Sequence, residues 1–160
     1  MVWSAFGGGQ RSELVLMPGD PDSKHGGVTS AVYLEVLEDI LPTLWEPGLE
    51  FMQDNAKIHT AKVIKTWFAE QGIVVVEWPP YSLDLNPIEH AWAQLKAWIY
   101  KHHPELLKLI GISQENKNKL LAALQEAWEA LPEDFFTRLI ESMPQRVRAM
   151  RKAKGWYTKY

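Results

Sequence analysis

The chain has 160 residues, of which 46% are hydrophobic and eight are tryptophan, enough apolar material for one domain with its own core. It contains no cysteine, which excludes disulfides and cysteine-ligated zinc. No apolar run reaches membrane-spanning length, and the N-terminus has no signal-peptide pattern. We therefore expect a soluble intracellular protein without a membrane partner.

The net charge of −3 is distributed unevenly along the chain. Residues 144–160 carry six basic side chains and no acid, so this tail carries +6 and residues 1–143 carry the difference, −9. Such a tail can contact phosphates or serve as a nuclear address, and a solvated amphipathic helix explains it equally well. The candidate nucleic-acid contacts are Arg146, Arg148, Arg151, Lys152 and Lys154.

Apolar periodicity, capping residues, proline and glycine divide the chain into short strands and longer helices. The strands are predicted at about residues 2–6, 14–17, 50–54 and 73–77. The helices are predicted at about residues 30–41, 60–71, 87–101, 114–130, 133–141 and 144–153. This order indicates one mixed α/β domain over residues 1–160, with a helical C-terminal portion at about residues 113–160.

The first two strands flank a triple glycine, Gly7-Gly8-Gly9, and are predicted to form an antiparallel hairpin. A polar loop with Asp20 and Asp22 follows, and a Pro/Gly-rich turn explains both acids better than a metal site does. The next helix is predicted to end at Pro42, because proline cannot continue the hydrogen-bond pattern.

Residues 51–77 are predicted to form a strand–helix–strand unit. Asp54 and Asn55 break the first strand, since both residue types favour turns. Residues 73–76 are entirely apolar and mostly β-branched, as in a parallel strand that is covered on both faces. Gly72 is predicted to end the intervening helix in a left-handed conformation.

The helix after this unit has clear start signals, with Asn86 as an N-cap and Pro87 at the first helical position. Glu89 lies on the border of its apolar stripe, from which it can lean toward the sheet edge where Asp54 ends its strand. Two carboxylates there predict a divalent metal site. A capping box at Glu89 and an ordinary turn at Asp54 need no metal, and the spacing alone favours them.

Several motifs shift that balance toward the metal site. They are Gln53-Asp54-Asn55-Ala56, His59-Thr60-Ala61, Trp78-Pro79, Tyr81-Ser82, Asp84-Leu85-Asn86-Pro87-Ile88-Glu89 and Trp92. Together they resemble the catalytic domain of DDE-type transposases of the Tc/mariner superfamily, and weaker similarity extends over nearly the whole chain. Leu83 departs from the pattern, because the family usually has proline after the serine.

The resemblance implies a ribonuclease H-like mixed sheet flanked by helices, in which three carboxylates hold two Mg²⁺ or Mn²⁺ ions for phosphoryl transfer on DNA. Asp54 matches the second acid and Glu89 the third, each as a catalytic residue and a metal ligand. Asn55, His59 and Asn86 are supporting residues of the site. Asn55 and His59 either orient Asp54, contact DNA or cap a helix.

The first acid of the family lies on a strand that precedes the one beginning here at Val2. We therefore expect an N-terminally truncated domain without the central strand, whose place lies between the hairpin and the strand ending at Asp54. Two functions are expected. The first is a DDE endonuclease domain for DNA cleavage and transfer that is inactive as this chain. The second is a catalytically dead transposon remnant that acts as a DNA-binding or interaction module.

The resemblance also implies partners and a location. DNA is the expected partner, as transposon ends and target DNA, and a homodimer is a further option. The expected location is nuclear in a eukaryote and cytoplasmic otherwise.

Overall fold

The computed structural model describes residues 1–77, 85–108 and 113–152. Its strands are β1 (Val2–Trp3), β2 (Phe6–Gly7), β3 (Gln10–Arg11), β4 (Val15–Leu16), β5 (Glu50–Phe51) and β6 (Val74–Val75). Its α-helices are α1 (Ser30–Leu44), α2 (Lys62–Glu70), α3 (Ile88–His102), α4 (Gln114–Ala130), α5 (Glu133–Glu141) and α6 (Met143–Lys152). A 3₁₀ helix covers Pro104–Lys108. Leu83 and Lys154 lie outside the described residues.

The strands form three separate pairs. β1 pairs with β4 and β2 with β3, both antiparallel, which confirms the predicted hairpin. The turn between β2 and β3 has positive φ at Gly8 (57°) and Gly9 (82°), a conformation that glycine adopts without steric cost. β5 and β6 pair in parallel, as predicted. The strand β3 is not predicted from the sequence, because it lies in the region expected to be a turn.

Two buried serines interrupt the hairpin between its two pairs of strands. The hydroxyl oxygens of Ser4 and Ser12 lie 2.9 Å apart, and Ser12 Oγ accepts a hydrogen bond from Ala5 N at 2.9 Å. A side-chain oxygen therefore replaces a backbone partner at this point, which breaks the ladder. Ser12 O accepts a hydrogen bond from Trp128 Nε1 at 2.8 Å, which joins the hairpin to α4.

The hairpin lies between two layers of helices. Trp3 packs in a core with side chains of α1, α2 and β6, whereas Val2 packs against a second core formed with α3, α4 and α5. This alternation is expected because successive strand side chains point to opposite faces. The β1–β4 pair thus forms a middle layer.

The predicted helices are confirmed with small changes at their ends. α4 and α5 have the predicted bounds, and Gly72 follows α2 with φ 67°, the left-handed conformation expected there. The predicted stop at Pro42 is wrong, because α1 continues to Leu44 and Trp45 N donates to Leu41 O at 2.9 Å. Proline removes only its own donor, and burial of Leu41 holds the last turn against the core. No described helix is long and apolar enough to cross a bilayer.

Candidate metal centre and nucleic-acid interface

A cleft of about 470 Å³ separates the hairpin from β5. Residues 1–8 line one side and residues 49–54 line the other, so one backbone edge of each strand pair borders it. One edge of β1 is paired with β4, and one edge of β5 is paired with β6. Among the described residues, no strand pairs with the other edge of β1 or of β5. The cleft therefore lies where the sequence predicts the place of a central strand.

Asp54 follows β5 and lines this cleft, with 38% of its side chain exposed. Its Oδ1 accepts a hydrogen bond from Ala56 N at 3.0 Å and lies 2.6 Å from His59 Nδ1. Both contacts use Oδ1, and Oδ2 has no hydrogen-bond partner among residues 1–77, 85–108 and 113–152. One carboxylate oxygen therefore closes a turn, as predicted, and the other has no contact of this kind within the described residues.

His59 does not cap the helix that follows it. The cap of α2 is Ala61, which makes no side-chain capping bond. The ring of His59 lies instead against the ring of Tyr33, with centroids 4.5 Å apart. Tyr33 OH donates to Gln53 Oε1 at 2.7 Å, and Gln53 Nε2 donates to His59 O at 3.3 Å. These contacts link His59 to α1.

Tyr33 and Gln53 contact the candidate site, and the sequence does not reveal either contact. Tyr33 fits the apolar stripe of α1 and is 1% exposed, so the pattern predicts only a core residue. Burial is the main cause that raises the pKa of Tyr33 well above its usual range, and the negative charge of Asp54 adds to it. The hydroxyl therefore stays protonated and can donate to Gln53. The sequence feature that points to Gln53 is its position next to Asp54 in the chain.

Glu89 lies in the first turn of α3 and is exposed along the same cleft. Asn86 supports the start of this helix, because its Oδ1 accepts a hydrogen bond from Ile88 N at 3.2 Å. The Glu89 carboxylate makes no hydrogen bond to any residue that the structure describes, so the capping-box explanation has no support here. Asn55 is exposed and lines a second cleft on the α2 side of Asp54.

The structure thus brings Asp54 and Glu89 to one cleft. Carboxylate oxygens are the ligands that Mg²⁺ and Mn²⁺ prefer, so the chemistry of this pair fits such an ion. Within the described residues, no three His, Cys, Asp or Glu side chains are grouped to hold a metal. Two carboxylates are fewer ligands than a two-ion site requires.

Asp20 belongs to the loop before α1, as the turn interpretation predicts. Its Oδ1 accepts a hydrogen bond from Asp22 N at 2.9 Å, and its Oδ2 accepts one from Thr29 Oγ1 at 2.8 Å. Both oxygens are therefore used inside the loop, and Asp20 is not a member of the cleft.

The predicted nucleic-acid contacts do not form one surface. Arg148, Arg151 and Lys152 are exposed on α6. Arg146 is only 2% exposed, and its Nε donates to Ser142 Oγ at 2.8 Å. A guanidinium enclosed in this way cannot reach a phosphate from its present position, which argues against a DNA contact. The helical spacing of Arg146 from Met143 and Met150, three and four residues away, is the signal for its inward position.

The chain is similar in sequence to a known family of endonucleases. The profile of the family described as DDE superfamily endonuclease matches residues 23–110, more than half of the chain. The transposase of transposable element Tcb1 from Caenorhabditis briggsae is 34% identical over 164 aligned residues, which cover 100% of this chain and 54% of that protein. The Tc1 transposase of Caenorhabditis elegans is 37% identical over 113 residues, covering 71% and 38%. The chain spans about half the length of the first of these relatives.

Solved structures with the same fold include the catalytic domain of the Mos1 mariner transposase, with a TM-score of 0.62, 20% identity and coverage of 99% of this chain and 82% of that one. A second Mos1 catalytic-domain structure, with raltegravir and Mg, gives a TM-score of 0.65 at 20% identity, covering 99% and 83%. The architecture is therefore the predicted ribonuclease H-like α/β fold. The family profile and the Tc1-type relatives show that the chain belongs to the DDE superfamily of endonucleases, among the transposases of the Tc/mariner group.

Proposed function

We propose that this chain is the catalytic region of a transposase that cuts and joins DNA by metal-dependent phosphoryl transfer, with Asp54 and Glu89 as ligands of Mg²⁺ or Mn²⁺. The observation that carries the proposal is that both carboxylates line one cleft although they come from different elements. When bound, the metal would supply positive charge beside a phosphate and activate the attacking oxygen. Mos1 catalytic-domain structures described with Mg and with Mn support this choice of ions.

The residues of the chain contribute position rather than covalent chemistry, which suits phosphoryl transfer. Asp54 is oriented by its contacts with Ala56 N and His59. Glu89 stands on the first turn of α3, where the helix dipole favours a negative group. The same helix end favours a phosphate oxygen, so DNA and the carboxylate-bound cation could lie side by side.

The cleft itself supports a further part of the proposal. Phe51 O accepts a hydrogen bond from Val76 N, the residue after β6, so the alternation of a strand turns the backbone groups of Met52 toward the cleft. We propose that an added strand pairs at this edge and carries a third carboxylate. With two ligands, the 160-residue chain by itself should cut DNA several orders of magnitude more slowly than a complete site.

Cation binding tests the metal site directly. We expect Mn²⁺ to raise the melting temperature of the chain by a few degrees, since a ligand that binds only the folded state stabilises it. The response should disappear in Asp54→Asn and in Glu89→Gln, and should persist in Asp22→Asn, whose side chain is exposed in the loop before α1. A response that survives both substitutions at the cleft, or no response at all, would contradict the proposal.

Cleavage is tested separately with supercoiled plasmid and Mn²⁺. We expect no nicking above the background of Glu89→Gln. Nicking by the 160-residue chain that Glu89→Gln abolishes would show that two carboxylates suffice, and the proposed requirement for a third would be wrong.

The exposed cations of α6 favour a second function, that of a DNA-binding remnant without catalysis. Arg148, Arg151 and Lys152 can neutralise phosphates whether or not a metal is bound. A remnant would bind duplex DNA and show no Mn²⁺-dependent stabilisation. Measuring both properties on one preparation distinguishes the two functions.

A further inference from the structure

We propose that Tyr33 and Gln53 are positioning residues for Asp54, acting through His59. This inference rests on the proposed function of Asp54 as a metal ligand. It concerns which of the two carboxylate oxygens is presented to the cation, and how the protein fixes that choice before the cation arrives.

His59, Tyr33 and Gln53 form a closed circuit of contacts, and Asp54 joins it through His59. His59 Nδ1 lies 2.6 Å from Asp54 Oδ1, and the His59 ring lies against the Tyr33 ring at 4.5 Å between centroids. Tyr33 OH donates to Gln53 Oε1 at 2.7 Å, and Gln53 Nε2 donates to His59 O at 3.3 Å. The imidazole is thus held by its ring nitrogen, by one ring face and by its own backbone.

The contact with Asp54 also fixes the position of a proton. An ionised carboxylate can only accept a hydrogen bond, so Nδ1 must be the nitrogen that donates. The circuit therefore favours an imidazole that carries a proton on Nδ1 and directs it at Asp54 Oδ1. Outer contacts of this kind commonly orient metal ligands and set their affinity.

The consequence for Asp54 is a carboxylate with one occupied oxygen and one available oxygen. Oδ1 serves Ala56 N and His59, while Oδ2 is unpaired within the described residues. A carboxylate that is already oriented loses less conformational freedom when it binds a cation. Because Tyr33 is 1% exposed and belongs to α1, the core on that side of the hairpin becomes part of the site.

The substitution Tyr33→Phe removes a single oxygen atom and keeps the ring that His59 contacts. We expect it to weaken the Mn²⁺ affinity of the chain by about threefold to tenfold. This loss is smaller than the one typical of a residue that contacts the metal-binding side chain directly, because Tyr33 acts through His59. His59→Ala should weaken affinity by about tenfold or more, and His59→Asn should restore part of it, because an amide can donate to Oδ1. Tyr100→Phe is the matched control, since Tyr100 is 58% exposed on α3, and it should leave affinity unchanged.

A second readout needs no metal. In ¹⁵N spectra of the ring nitrogens, the wild-type chain should show the His59 proton on Nδ1, and Tyr33→Phe and Gln53→Ala should shift or broaden that signal. A merely structural role for Tyr33 would lower the melting temperature of Tyr33→Phe but leave both the ring signal and the Mn²⁺ affinity unchanged.

The outcomes separate this inference from the proposed function. If the wild-type chain binds no Mn²⁺, the proposed function fails and the ring signal alone decides whether Tyr33 orients His59. If the wild-type chain binds Mn²⁺, the inference requires that Tyr33→Phe change both readouts. A change in only one of them, or in neither, would overturn the inference while the proposed function stands.

Discussion

Arg11 joins the hairpin to the C-terminal helices through several contacts. Its Nη1 donates to Trp128 O at 2.9 Å and to Leu131 O at 2.7 Å, and its Nη2 donates to Glu129 O at 3.0 Å. Its guanidinium lies 5.2 Å from the centroid of the Phe136 ring. Carbonyls in the last turn of a helix lack the usual i+4 donor, and among the described residues Trp128 O accepts only a 3.4 Å bond from Leu131 N besides the one from Arg11. Arg11 therefore adds donors at the end of α4 and places a positive charge at the negative end of the helix dipole.

We predict that Arg11→Met lowers the free energy of unfolding by about 2–3 kcal/mol, because it removes charged hydrogen bonds and a cation–π contact together. Urea denaturation measures this change. Arg138→Met is the matched control: Arg138 is exposed and pairs with Asp134 one turn away, so its loss should be below about 0.5 kcal/mol. Equal losses in the two variants would contradict the role of Arg11.

His90 is predicted to make stability depend on pH. Burial lowers its pKa below the ordinary value of 6.5, and the Arg146 guanidinium lowers it further. The folded chain therefore binds the His90 proton less readily than the unfolded chain. The contribution of His90 to the free energy of unfolding is complete above the pKa of the unfolded chain. It is lost as the pH falls below that value toward the lower pKa of the folded chain.

We expect His90→Gln to flatten the decline in unfolding free energy between about pH 7 and pH 5, which urea denaturation at several pH values measures. His25→Gln is the control, because His25 is exposed in the loop before α1, and it should leave the decline as in the wild type. If the decline is the same in His90→Gln and in the wild type, the pKa of His90 is not lowered in the folded chain as we infer.

At the scale of elements, α6 has a buried side and an exposed cationic side. Because Arg146 is enclosed, removing the whole helix would disturb packing as well as charge, so substitutions are the better test. We predict that Arg148→Ala with Arg151→Ala weakens duplex DNA binding and reduces the slope of log affinity against log salt by about 2, near 0.9 for each lost phosphate contact. Fluorescence anisotropy over a range of salt concentrations measures the slope.

The control for α6 is the pair Lys117→Ala and Lys119→Ala, which removes the same charge from the exposed side of α4. If both double variants lose the same affinity and slope, DNA binding reflects total charge alone, and α6 is not a specific contact surface.

The sequence predicts the helices better than the strands. Ser113 and Pro132 mark the starts of α4 and α5, and local capping and periodicity are sufficient to place both elements. The strands are two residues long, and their extent depends on partners that are distant in the chain. β3 has no apolar alternation to reveal it, and the break at Ser4 and Ser12 arises from side-chain hydrogen bonds that no periodicity records.

The residues of the candidate site also differ in how far the sequence predicts them. Asp54 and Glu89 follow from the resemblance, since their spacing alone fits a turn and a capping box. Tyr33 is hidden in an apolar stripe, and its hydroxyl finds Gln53 only through the packing of α1. The charge of Arg146 predicts a surface position, whereas the side chain is buried on the inner side of α6.

At the scale of the whole molecule, the cleft lies between the hairpin and β5. The two candidate ligands come from different elements, because Asp54 follows β5 and Glu89 lies in the first turn of α3. A cation held by both carboxylates would therefore connect two parts of the fold that no strand joins in the described residues. We propose that one ion is shared by these two side chains.

Paramagnetic broadening of the amide signals by a small amount of Mn²⁺ tests that claim most directly. A shared ion predicts selective loss of the amide signals of residues 53–56 and 88–90 at the same Mn²⁺ concentration, with the helix α4 unaffected. Replacing Glu89 by glutamine should abolish the broadening in both segments, since each carboxylate alone holds the ion weakly. Broadening of one segment without the other, or at acidic surface positions of α4 instead, would show that Asp54 and Glu89 do not form a common metal site.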